Sequence, residues 1–393
     1  MNAGLKVLIV DDSVIYRSIL KDIVQSFEAV SEVQTAPNGR IGLQRAELFC
    51  PDLVLSDLEM PVMDGLEFVR TLKKNYPVLP VVIVSSLSPE TNPMAVEALA
   101  LGALEFVQKP QGISPEENSK VLSVQLKQLV SIVGVKKNAR LIRGDSRDQA
   151  PVKPKPGPST SPSMDRPSLP GPESLRFIEK RESHKDQSGF RQPPVNPSCI
   201  LIGVSTGGPN ALSTIFPVLA QINECPIMIV QHIPPHFAFV LAERLQKLGC
   251  LKVKVAEEGD LVHAGQVLLS PGGRHMAVQR HGADLRVKIL DSEPQHGCKP
   301  SVDVLFDSFC DLGVERLITV IMTGMGRDGV AGVTHLRQQN RAYSIIQDEE
   351  SSVVWGMPKA VYEAGQADEV LPLSEIGPRL KALSSMGGKG GLW

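Results

Sequence analysis

Short apolar runs alternate with stretches of helical periodicity along most of the chain. Before residue 130 the runs are Lys6–Val10, Val33–Ala36, Leu53–Asp57, Val81–Ser85 and Glu105–Gln108. Between them, Val14–Phe27, Gly39–Leu48, Gly65–Asn75 and Pro93–Leu101 read as amphipathic helices. Strand and helix patterns in strict alternation predict parallel strands in a doubly wound α/β sheet. The alternation returns with Cys199–Val204, Pro226–Gln231, Val253–Val255, Gln266–Ser270, Leu317–Met322 and Tyr343–Ile346. Met276–Gln279 and Leu285–Leu290, joined around His281-Gly282-Ala283, predict an antiparallel hairpin inside this otherwise parallel second domain.

Proline marks the break between the two halves. Eleven of the 31 prolines fall between Pro151 and Pro197, in a stretch rich in Ser, Lys and Arg with no periodic apolar residues. Such a segment buries too little surface to offset its ordering entropy, so residues 131–197 are expected to be a largely disordered linker. A short helix around Glu173–Arg181 is allowed inside it. The boundaries that follow are 1–130, 131–197, 198–384 and a flexible tail, 385–393.

Composition narrows the class. A net charge of −2, from 41 basic and 43 acidic residues, removes the electrostatic case for a nucleic-acid binder. The six cysteines are scattered without a CxxC pair, which fits reduced thiols rather than a disulfide framework or zinc site. Val7–Val10 is too short for a signal peptide, and no apolar stretch approaches the ~20 residues of a membrane helix. A cytoplasmic, monomeric protein without membrane insertion is expected.

In the first half, Asp11 and Asp12 end one strand, Asp57 another, Ser85 a third, and Lys109 a fourth. The C-terminal strand ends of an open α/β sheet share one rim, where ligands bind. Three converging carboxylates would repel one another unless a hard cation joined them, and Mg²⁺ suits so small a set of oxygens. One carboxylate could then attack a phosphoryl group whose oxygens Lys109 and Ser85 hold. A cis bond to Pro110 would fix the approach of Lys109. A single such Asp is more often a helix cap, and the case rests on their convergence.

VLIVDDS, LVLSDLEMPVMDGLEF, VVIVSS and EFVQKP together resemble the receiver domain of two-component response regulators, over about residues 5–125. The resemblance implies Asp57 as phosphoacceptor, Asp11 and Asp12 as its partners around Mg²⁺, Ser85 and Lys109 as the switch pair, and a histidine kinase as phosphodonor.

In the second half, Gly203-Val-Ser205-Thr-Gly207 fits G-x-S-x-G, in which small neighbours admit a nucleophilic serine on a strained turn. A helix N-terminus behind it offers N–H groups to an oxyanion. A dinucleotide site also begins with a glycine-rich turn, but it wants an acid at the end of the next strand. Here that strand ends in Gln231-His232, and a histidine there is placed to take the Ser205 proton. His236 follows Pro234-Pro235, which excludes a zincin-type helical pair and leaves it a structural or substrate-facing role. The third glycine-rich turn, after Leu317–Met322, carries Asp328, expected to orient His232, with Asp348 as runner-up. The order Ser–His–Asp differs from the Ser–Asp–His of α/β-hydrolases.

IGVSTGGP, IVQHIPPHF, LLSPGGRHM, KPSVDVLFDS, MTGMGRDG and QDEESSVVWGMPKA resemble the catalytic domain of chemotaxis-specific protein-glutamate methylesterases, over roughly residues 198–380. The resemblance implies Ser205, His232 and Asp328 as catalytic residues, Thr206 and Met325 beside the oxyanion, and His275 with Ser270–Gly273 on the substrate rim. It further implies methyl-accepting chemoreceptors as substrates, glutamine deamidation as a second activity, and no cofactor for the ester chemistry. A DNA-binding response regulator and a dinucleotide-dependent oxidoreductase are the competing classes. The first lacks a helix-turn-helix and a basic output domain. The second lacks the acidic residue after Pro226–Val230.

Overall fold

The computed structural model describes residues 4–86, 93–110, 115–143 and 192–385. The helix allowed at Glu173–Arg181 and the tail from Met386 lie outside these residues.

The N-terminal unit contains β1 (Leu5–Val10), α1 (Val14–Gln25), β2 (Val30–Ala36), α2 (Gly39–Phe49), β3 (Leu53–Ser56), α3 (Gly65–Asn75), β4 (Val81–Ser85), α4 (Pro93–Ala100), β5 (Glu105–Gln108) and α5 (Pro115–Arg143). Its five strands are parallel in the order β2-β1-β3-β4-β5. Both faces are covered by helices, which is why Val7, Leu8, Ile9 and Val10 are all fully buried rather than alternating. The helix starts follow local chemistry. The Ser13, Asn38 and Asp64 side chains each accept a first-turn N–H, from Tyr16, Ile41 and Glu67. α5 continues to Arg143, so residues 131–143, assigned to the linker from the sequence, are helical.

The C-terminal unit contains β6 (Cys199–Val204), α6 (Gly208–Leu219), β7 (Ile227–Gln231), α7 (Pro235–Lys247), β8 (Lys252–Val255), β9 (Gln266–Leu269), β10 (His275–His281), β11 (Asp284–Leu290), α8 (Val302–Ser308), β12 (Leu317–Ile321), α9 (Val330–Gln338), β13 (Ala342–Gln347), α10 (Met357–Glu363), β14 (Glu369–Leu371) and α11 (Leu373–Ser385). Seven strands form a parallel sheet in the order β14-β13-β12-β6-β7-β9-β8. β10 and β11 form a separate two-stranded antiparallel sheet, with His275 opposite Leu290. β14 carries no apolar run and was not expected.

In each unit the chain reverses its direction of growth beside its first strand: between β1 and β3, and between β6 and β12. Those are the switch points where ligands bind in open α/β sheets.

The two units touch. The Phe106 and Phe237 rings lie 6.5 Å apart at 57°. Thr206 Oγ1 donates to Glu105 Oε2 at 2.9 Å. A small apolar pocket between them is lined by Leu99 from the first unit and by Pro209, Ile233, Phe237 and Leu241 from the second.

Candidate active site and phosphoacceptor pocket

The acid pocket sits at the first switch point. Asp11, Asp12 and Asp57 bring carboxylate oxygens within 4.8 Å of one another. Lys109 Nζ lies 2.5 Å from Asp57 Oδ2 and 2.7 Å from Asp11 Oδ2, with only 2% of its side chain exposed. It also stands 4.5 Å over the Tyr16 ring. Burial drives Lys109 toward its neutral form, but the Asp57 and Asp11 charges outweigh this and raise its pKa. Burial raises the Asp11 carboxyl, against the opposing effect of Lys109. Asp57 is fixed by the Leu58 N–H on Oδ1 at 2.6 Å. The lysine is tied to Ser85 through its own N–H, which donates to the Ser85 carbonyl at 2.8 Å. Gly65 is required here, because a Cβ on it would stand 2.0 Å from the Asp57 carbonyl oxygen. The only cis peptide bond among the described residues is Lys299–Pro300, so Lys109–Pro110 is trans.

These residues fit a hard divalent cation. Asp11 Oδ2 is buried and, although paired in charge with Lys109, accepts no hydrogen bond. Asp12 is exposed at the mouth. An acidic pocket with an open lone pair and a solvent-facing side is the donor set Mg²⁺ takes while keeping its waters.

At the second switch point, three neighbouring strands deliver the three predicted residues. Ser205 follows β6, His232 follows β7, and Asp328 lies in the turn after β12. His232 Nε2 lies 2.7 Å from Asp328 Oδ2. Asp328 is 1% exposed, and three further donors hold it: Ser301 Oγ at 2.8 Å, Val302 N at 2.7 Å and Asp303 N at 3.0 Å. Two of those donors are orphan amides of the first turn of α8, so the carboxylate caps a helix.

Burial raises the Asp328 carboxyl, yet the hydrogen bond and charge of His232 and the two amides bring it below the usual carboxylate range. Burial likewise works against a charged His232. The bond to Asp328 and the nearby sulfur of Cys298 prevail, and its pKa is pushed up to about 9.

The serine turn is built on close backbone approach. Ser205 N–H donates to the Thr323 carbonyl at 2.9 Å, and Gln231 Nε2 donates to the Ser205 carbonyl at 2.9 Å. A Cβ at Gly203 would stand 2.6 Å from Val302 Cγ1, and one at Gly324 2.7 Å from Ser205 Cβ. The left-handed residue of the turn is Gly207, at φ 78°, where a Cβ would stand 2.6 Å from Val353 Cβ. Ser205 itself has no positive φ, so the strain expected at the serine falls on the glycine. Among the described residues Ser205 Oγ has no hydrogen bond to His232, and the Thr206 and Met325 N–H groups have no protein acceptor.

Other expectations need correction. His275 is 0% exposed: its Nδ1 accepts from Ser301 N at 3.1 Å and its Nε2 faces the Glu293 carbonyl at 3.1 Å. It buttresses the segment that holds Asp328 and is not on a rim. Ser270 is also fully buried, and a Cβ at Gly272 would meet the Pro234 carbonyl carbon at 2.4 Å. That turn packs against Pro234-Pro235. Asp348 accepts from Ser351 N at 2.9 Å within its own turn and makes no bond to His232. The side chain of His236 lies outside the described residues. Sequence reasoning did not find Glu105, Ser301 or Cys298 at the site.

One domain presents an acid pocket with a buried lysine, and the other a serine, a histidine and a buried carboxylate at a sheet switch point. Together they define a receiver-linked hydrolase. Residues 7–117 match the response regulator receiver domain, and residues 200–380 match the CheB methylesterase domain. A protein-glutamate methylesterase/protein-glutamine glutaminase of Desulfotalea psychrophila is 38% identical over 95% of this chain and 96% of its own. One from Treponema denticola is also 38% identical, over 95% and 96%. The solved catalytic domain of Thermotoga maritima CheB methylesterase is 38% identical, covering 48% of this chain and 100% of that domain at a TM-score of 0.46. The chain belongs to the protein-glutamate methylesterase/protein-glutamine glutaminase family.

Proposed function

We propose that the chain is a phosphorylation-controlled serine hydrolase that demethylates γ-glutamyl methyl esters of chemoreceptors and deamidates their glutamines. The observation that carries this reading is the 2.7 Å contact of His232 with the buried, helix-capping Asp328, one strand away from Ser205. His232 removes the Ser205 proton as the hydroxyl attacks the ester carbonyl, and Asp328 stabilises the resulting imidazolium. The free Thr206 and Met325 N–H groups flank the serine turn and are suited to the oxyanion. Methanol leaves, and water hydrolyses the acyl-serine to glutamate. Ammonia leaves instead when the substrate is glutamine. The open Ser205–His232 contact closes when substrate binds, as is common for catalytic hydrogen bonds.

Gln231 argues against the dinucleotide alternative. It stands where a ribose-binding acid would be needed, and its side chain is committed to the Ser205 carbonyl.

Control comes from Asp57, phosphorylated by a histidine kinase. Asp11, Asp12 and Asp57 would hold Mg²⁺, which when bound neutralises the carboxylates and an incoming phosphoryl group. Lys109 gives up a carboxylate contact to hold the phosphoryl oxygens. The receiver sits against the residue next to Ser205, through Glu105, so its release uncovers the serine turn. The expected result with methylated receptor membranes is loss of methanol release in Ser205→Ala. Equal release by that variant and the wild type would remove the assignment.

A further inference from the structure

Beside the His232–Asp328 pair lies a cysteine, Cys298. The segment Gln295–Cys298 forms a tight turn, closed by Cys298 N to Gln295 O at 2.8 Å and Gln295 N to Cys298 O at 3.1 Å. Its two central residues, His296 and Gly297, are left-handed, at φ 51° and 76°. This turn brings the Cys298 Sγ within 4.8 Å of a His232 ring nitrogen, while the thiol itself donates to the His296 carbonyl. The ester chemistry proposed above has no use for that thiol.

Ligating atoms of His232, Cys298 and Asp328 all lie within 4.8 Å of one another. Thiolate, imidazole and carboxylate are the donors of catalytic zinc sites, which leave a fourth position open to water. Soft sulfur selects against Mg²⁺ and Ca²⁺. Asp328 is already locked by Ser301, Val302 and Asp303, the kind of outer support that holds a metal ligand in place. A second buried carboxylate lies beside this set, and burial raises its pKa to about 6. The Asp303 carboxylate adjoins Asp328 and is 2% exposed, yet its Oδ2 accepts no hydrogen bond; only the His296 imidazole, at 3.5 Å, faces it.

We propose that His232, Cys298 and Asp328 bind a thiophilic divalent cation of the zinc class, and that occupancy silences the hydrolase. The thiol proton leaves to solvent as the Zn–S bond forms. Two ligands of one tetrahedral zinc stand about 3.3 Å apart, so the imidazole moves away from Asp328 by about half an ångström. With Nε2 ligated, the neutral imidazole carries its proton on Nδ1, so no ring nitrogen is left to accept the Ser205 proton. Its place in the hydrolase as base rests on the function proposed above; the cation site itself does not.

The test uses the full chain with Mg²⁺ in excess to fill the receiver pocket. Co²⁺ is the optical probe, because a thiolate ligand gives it a near-ultraviolet charge-transfer band. The band is expected in the wild type and in Cys250→Ser, which removes an exposed thiol away from the site, and not in Cys298→Ser. Zn²⁺ is expected to block methanol release reversibly, with chelator restoring it. Cys298→Ser should need on the order of 10–100-fold more Zn²⁺ for half-inhibition. A band that survives in Cys298→Ser, or equal zinc sensitivity of that variant and the wild type, overturns the site. Ser205→Ala separates the two readings: undiminished methanol release by it defeats the hydrolase, while the cobalt band alone decides the cation site.

Discussion

Thr206, the neighbour of Ser205, donates its hydroxyl hydrogen at 2.9 Å to Glu105, a carboxylate on the last strand of the receiver. Glu105 lies four positions before Lys109, whose ammonium contacts Asp57 at 2.5 Å. One short strand therefore connects the acid pocket to the serine turn.

The first prediction concerns this carboxylate. Burial raises the Glu105 pKa, against the opposing hydrogen bond from Thr206. The docked state binds a proton on Glu105 more readily than an undocked one. Docking is therefore strongest at acid pH, and weakens as pH rises from the ordinary carboxylate range through the raised value. Glu105→Gln removes the charge and keeps an acceptor for Thr206, so it should lower basal methanol release near neutrality and flatten that pH dependence. Glu105→Ala should raise basal release several-fold. A comparison of the three proteins without phosphodonor checks both signs.

The second prediction follows from His232. With its pKa pushed up to about 9, most of the imidazole is protonated at neutral pH and cannot accept the serine proton. kcat/KM should climb nearly tenfold per pH unit from neutrality and level off above about 9. Cys298→Ala removes one of the bonds that favour the cation, so its midpoint should lie lower. The stability linkage has the opposite sense. The His232–Asp328 pair contributes fully between the unfolded carboxylate value near 3.8 and the unfolded imidazole value near 6.5; it is lost as pH rises through about 9 or falls through about 2. Asp328→Asn should cost kcat on the order of 10⁴-fold, as in other triads.

How much of this was legible in the sequence depends on how local the signal is. Strands such as Ile200–Val204 and Val7–Val10 are apolar at every position because both sheet faces are covered, and that shows without a structure. Asp11, Asp57, Ser205, His232 and Asp328 were legible because each ends a strand or follows one in a turn, and strand ends meet at one rim. The Glu105–Thr206 bond joins residues 101 positions apart, across a segment whose composition says nothing of docking. His275 was misplaced for the same reason: its partner Ser301 lies 26 positions on. α5 outran its expected end because Val133 still packs on the core, while the residues after it turn polar and look like linker.

The third prediction separates the two halves. Asp57→Asn removes the acceptor and leaves the serine site untouched, so basal release should persist while a small-molecule phosphodonor with Mg²⁺ no longer stimulates it. Removing Mg²⁺ from the wild type should have the same effect on stimulation. Stimulation of Asp57→Asn equal to wild type would detach the receiver from control.

The last prediction tests whether the serine needs its backbone neighbour to be glycine. Gly324 N–H donates to the Val354 carbonyl at 2.9 Å, and the Gly324 carbonyl accepts from Gly356 N at 3.1 Å and Met357 N at 2.9 Å. Tied on both sides, this turn has no room to retreat. In Gly324→Ala the new methyl would stand 2.7 Å from Ser205 Cβ and on the buried Met357 sulfur. Overpacking of this kind costs about 1–3 kcal/mol of stability. A displacement of Ser205 by about 1 Å costs on the order of 10²-fold in turnover. The two effects come from different contacts and can be parted. Met357→Leu in the Gly324→Ala background removes the sulfur while keeping most of the buried volume, and should restore part of the melting temperature. It leaves the methyl against Ser205, so kcat should stay low with KM little changed. Recovery of kcat together with stability would show that Met357, not the approach of Gly324 to Ser205, is what the turn protects.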